Sequence, residues 1–71
     1  YGFAESKLIK EVSSATDAVE RLISLMTSLA DRVEHAQADS SYFDDARTGL
    51  EDVHETMQQG LQSVSLQLRG E

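Results

Sequence analysis

Leu8, Val12, Ala15, Val19, Leu22, Met26, Leu29, Val33 and Ala36 follow one another at alternating spacings of four and three. On an α-helix a seven-residue repeat of this kind draws one continuous apolar stripe. With Leu8 at position d of the heptad, Val12, Val19, Met26 and Val33 fall at a, and Leu22 and Leu29 at d. β-Branched residues at a with leucine at d favour two strands in a parallel coil. Ile9, Ile23 and Ala30 at e widen the stripe, however, toward the a-d-e face of a helix packed in a bundle. The spacing predicts a helix over about residues 4–37.

The pattern changes across Ala38-Asp39-Ser40-Ser41-Tyr42-Phe43-Asp44-Asp45. Ser41 followed by Asp44 approximates a capping box, and Asp44 and Asp45 would lie in a first turn, where the helix dipole favours negative charge. A turn at about 38–41 is expected, with Tyr42 and Phe43 closing one end of a small core. Beyond it Ala46, Leu50, Val53, Met57, Leu61, Val64 and Leu68 approximate an eleven-residue repeat, predicting a second helix over about 42–68. Gly49 and Gly60 inside that helix each cost roughly 1 kcal/mol relative to alanine, and either admit a close neighbour or are tolerated.

Phe43, Leu50, Met57 and Val64 continue the d register of the first half across the turn. One long parallel coiled-coil helix of about 65 residues, near 100 Å, is therefore the alternative. Against it, positions a become Ser40, Arg47 and His54, while apolar residues move to g at Ala46 and Val53. The expected fold is all-α, a two-helix antiparallel hairpin with coiled-coil character. Two helices share one interface and leave part of each stripe uncovered, and small single cores of this size rarely supply more than about 3–5 kcal/mol. Association of two hairpins into a four-helix bundle would cover both faces.

Composition narrows the function. The chain has 71 residues and no cysteine or proline, so disulfides do not brace it and no helix is forced to break. A chain this short buries only about 60% of its unfolded surface. Six basic against thirteen acidic residues give a net charge of −7, which argues against nucleic acid or an anionic membrane as the main partner. No apolar run approaches the roughly 18 residues of a membrane span, so direct membrane insertion is not expected. The first seven residues do not read as a signal peptide, and a cytoplasmic location is favoured. The first residue is not methionine, as in a piece of a longer protein or a processed product.

Chemistry is sparse. No nucleophile elbow, phosphate-cradling glycine loop or calcium loop is present. His54-Glu55-Thr56-Met57-Gln58 begins like the HExxH zinc signature, but Gln58 replaces the second ligand; no metal or other cofactor is expected. Asp44, Asp45, Glu51, Asp52 and Glu55 form an acidic stretch, either a solvated face or a docking surface for a basic partner. His35 reads as a surface histidine. Met26 and Met57 read as core filler.

From Val53 to Leu68 the chain resembles the phosphoacceptor helix of one class of bacterial sensor histidine kinases. His54, Glu55 and Gln59 match the histidine, acid and glutamine of that pattern, and Leu61, Val64, Leu66 and Leu68 its apolar frame. The resemblance implies phosphorylation of the His54 imidazole, with Glu55 as the base and Gln59 polar to the phosphoryl group. Leu50-Glu51-Asp52 stand where basic residues usually precede that histidine.

The expected function is a non-enzymatic protein–protein interaction or oligomerisation module, its partner itself or another helical protein. The residues expected to carry contact are Leu8, Val12, Val19, Leu22, Met26, Leu29 and Val33, with Leu50, Val53, Met57 and Leu61. The alternatives are the dimerisation and phosphotransfer segment of a sensor kinase, and a small acidic adaptor or chaperone for a basic client.

Overall fold

The computed structural model describes residues 3–70 and contains two α-helices, α1 (Phe3–His35) and α2 (Ser41–Leu68). They pack against each other as an antiparallel hairpin with Cα extents of 54 × 18 × 10 Å. The continuous rod is thereby replaced by a folded-back chain, and the unbroken d register is a property of both helices rather than of one.

The turn explains the break. The Gln37 amide donates to Glu34 O at 2.9 Å and the Ala38 amide to Val33 O at 3.1 Å. These two bonds form a Schellman motif, which requires a left-handed residue between helix and loop. Gln37 occupies that position with φ 58°, where glycine is the usual occupant. Relief of its side-chain crowding outweighs the extra freedom glycine gains on unfolding. Gln37→Gly is therefore expected to stabilise the hairpin by about 0.5–1 kcal/mol, read as a melting temperature higher by about 3–6 °C.

α2 does not begin with the Ser41–Asp44 capping box. Ser40 is the N-cap residue and no side chain caps from that position. Instead the Ser41 amide donates to Asp39 Oδ1 at 2.9 Å, and the Ser40 hydroxyl lies 3.0 Å from Asp44 Oδ2 and 3.2 Å from Glu34 Oε1. The backbone and side-chain bonds from Ser41 hold the Asp39 carboxyl below its usual range. At the other side of the turn, His35 Nδ1 donates to Asp31 O at 2.8 Å, closing the last turn of α1.

That bond, then the Asp31 carboxylate, raises the His35 imidazole above its ordinary value. The His35 contribution is complete below an unfolded value of about 6.5 and disappears as pH rises through the higher folded value. The Asp39 contribution has the opposite sign, present above an unfolded value of about 3.9 and lost as pH falls through the depressed folded one. Melting followed by circular dichroism should show stability declining from pH 6 to 8, and His35→Gln should flatten that decline. Asp39→Ala should remove part of the loss below pH 4.

The seam between the helices follows heptads on both sides. On α1 it is formed by Ile9, Val12, Thr16, Val19, Ile23, Met26, Ala30 and Val33, positions a and e. On α2 it is formed by Phe43, Arg47, Leu50, His54, Met57, Leu61, Val64 and Leu68, positions d and a. Among the described residues only Ala30 and Thr16, at 4% and 5% exposure, are buried, and no side chain is fully so. Their small size lets the helices approach, and the Thr16 hydroxyl is satisfied by Val12 O at 2.8 Å.

The expected swing of the α2 stripe toward Ala46 and Val53 is not what the packing selects. Both residues are exposed, and the heptad continues inward through Arg47 and His54. Long or amphipathic side chains can line a seam edge with their stems while the polar ends reach water or a partner. Of the two aromatics at the turn, Phe43 is half-buried and Tyr42 is exposed.

Candidate interaction surface

Two polar contacts, one at the turn and one across the seam, fix the alignment of the helices. Ser40 meets Glu34 at 3.2 Å, and His54 Nε2 meets Glu20 Oε1 at 3.0 Å. The two pairs lie two heptads apart on both helices, so they specify one register. They also fix which flanks share a side, because in each pair a b position of α1 meets an a position of the heptad that runs on through α2. Positions b and f of α1 therefore share one broad face with e and b of α2. Positions d and g of α1 share the opposite face with g and c of α2.

The first of these faces is polar and acidic. It carries Asp17, Glu20, Asp31 and Glu34 from α1, and Asp44, Glu51 and Glu55 from α2. The second face is apolar. Leu8, Leu22 and Leu25 of α1 and Val53 of α2 lie on it, each between 44% and 48% exposed. Ala15, Ala18 and Leu29 fill its α1 side, and Ala46, Gly49 and Gly60 its α2 side. Of the charged residues on the two helices, only Glu11 and Arg32 fall on it. Neither has an ion-pair partner among the described residues.

Burial divides the residues expected to carry contact into two groups. Val12, Val19, Met26, Val33, Leu50, Met57 and Leu61 line the internal seam, half-buried. Leu29 is half-buried on its flank, and Leu8, Leu22 and Val53 look outward. Leu25 belongs with the outward group and was not among the expected residues. Its signal is a second heptad series, Ala15-Ala18-Leu22-Leu25-Leu29, interleaved with the first. α1 thus carries two seams, one turned to α2 and one to solvent.

Two surface grooves each follow a single helix, one along Asp17, Glu20, Arg21 and Ser24 and the other from Gln58 to Arg69. Among the described residues no group of three potential ligands is disposed to hold a metal ion, and no helix is long and apolar enough to cross a membrane. His54 sits in the seam with its side chain 17% exposed. The carboxylate at its Nε2 is Glu20 of α1; Glu55 and Gln59 are exposed on neighbouring faces of α2.

Gly49 and Gly60 have no structural reason within the hairpin. A Cβ added at either meets nothing within 4 Å. Compared with known proteins, the chain matches no family model, no curated protein and no solved structure.

Proposed function

We propose that the chain is a non-enzymatic helical interaction module whose activity is contact through the d/g face of α1 and the g/c face of α2. The observation that carries this reading is the sorting of charge: a net −7 chain keeps one long face almost free of charged residues and places four large apolar side chains there, half-exposed. An apolar patch bordered by polar residues marks a contact site. The seam inside the hairpin is thin, so cover on this face also stabilises the fold itself.

The partner is a second helical surface, supplied by the same chain or by another helical protein. Sedimentation and thermal melting over a wide concentration range, with an apolar fluorescent dye as reporter, test this. Association and a melting temperature that rises with concentration are expected. A chain that stays single, melts identically at every concentration and binds no dye has a face satisfied by itself, and overturns the reading.

A further inference from the structure

We infer that the occupant of this face is a second copy of the chain, related by a two-fold axis crossing the helices at Leu22 and Val53, so that α1 lies antiparallel on the partner's α1. The inference rests on the interaction-module reading and names the partner and geometry it leaves open.

Area comes first. The chain exposes 5282 Å². A compact monomer of its 7.8 kDa mass exposes roughly 4,400 Å². The excess of roughly 900 Å² is close to the about 800 Å² that each partner buries in a standard interface.

The order of residues along the outer seam of α1 is self-complementary. Reversed on itself about Leu22, the seam sets Ala18 against Leu25, Ala15 against Leu29 and Glu11 against Arg32. Small residues meet large ones, as interdigitated layers require. The only acid on the face meets its only base, twice by symmetry, as an isologous contact demands. Antiparallel helices of two hairpins then complete a four-helix bundle.

α2 arrives independently at the same axis. In the register fixed by Glu20–His54, Val53 lies beside Leu22 to within one residue. Reversing α2 about Val53 sets Ala46 against Gly60 and Gly49 against Thr56, small on small with no charged residue on either side. The open space around a Cβ at Gly49 and Gly60 becomes the room into which the second α2 fits. The other two-fold arrangement, α1 on the partner's α2, places Glu11 near Ser63 and Arg32 near Tyr42 and leaves both charges unmatched. The acidic faces of both copies point away from the contact, so the net charge opposes it little.

The chain has no cysteine, so one introduced at Lys7 carries a single spin label. Two labels fifteen residues from the axis on antiparallel helices are about 45 Å apart along the bundle, by a rise of about 1.5 Å per residue. Twice the chain mass together with that separation is the expected result. Glu11→Arg and Arg32→Glu should each raise the dissociation constant about tenfold, and the double reversal should restore it to within about threefold. Gly60→Ala should increase the helicity of the dilute chain while weakening the dimer. An assembly with Lys7 labels within about 20 Å, a mass above two chains, or charge reversals that do not compensate overturns the two-fold and leaves the interaction reading standing. A single chain that binds the dye overturns self-pairing in favour of another helical partner. A single chain that binds no dye overturns both.

Discussion

Lysine at both Leu22 and Leu25 is expected to leave a single, helical chain. Each leucine is 44–48% exposed in the hairpin, so substitution costs the internal seam little. In the two-fold assembly the same side chains lie at its centre, and four of them are lost per dimer. At about 1 kcal/mol for the half-burial of each leucine, the dissociation constant should rise about a thousandfold, before like-charge repulsion is added. Sedimentation should give the mass of one chain, and the melting temperature should lose its concentration dependence. Unchanged association would mean that this face is not the contact.

Ile23, between them, gives the opposite result. Ile23 is turned about 100° from Leu22 on the helix and lies in the seam against α2. Ile23→Asp places a short acid there, without the length to reach water, beside the part of α2 that already carries Glu51 and Asp52. The expected loss of about 2–3 kcal/mol removes most of the about 3–5 kcal/mol available to a core this small. Far-ultraviolet circular dichroism should show most helicity lost at micromolar concentration and 25 °C. Neighbouring substitutions would then separate the two functions of α1, folding through one seam and association through the other. Helicity equal to the parent's would place Ile23 outside the core.

The helices and the turn were legible because their signals are local. Heptads set the helical runs, expected over 4–37 and 42–68 and found at Phe3–His35 and Ser41–Leu68. The capping was less legible: a left-handed Gln37 has no sequence signal, since glycine or asparagine usually announces that conformation. The direction of the seam was not legible either. Apart from Glu5 and Thr16, positions a, d and e of α1 are apolar, and hydrophobicity alone does not rank Leu22 against Ile23. Packing ranks them through size and pairing. Thr16 and Ala30 let α2 come close on the e side, and Glu20 and Glu34 find partners only with α2 there. Thr16 gives no sequence signal for the seam because a polar residue does not register in an apolar count, although its hydroxyl is spent on its own helix. The sequence offers His54 only as part of a kinase-like motif and a near-zinc signature; its cross-helix contact with Glu20 depends on tertiary register.

The acidic face lies clear of the proposed contact. Asp17, Glu20, Asp31 and Glu34 with Glu51 and Glu55 stay outside the proposed dimer contact and would suit a basic client. Binding there should weaken steeply with added salt, whereas association through the apolar face should not.

Among the described residues no side chain is fully shielded between α1 and α2. A lone hairpin therefore opens often, and its backbone amides should exchange with deuterium on a timescale set by that breathing. In the proposed dimer, crowding copies together would lengthen the closed interval, so order would become a collective property that responds to abundance, with dilution exposing the chain to proteolysis.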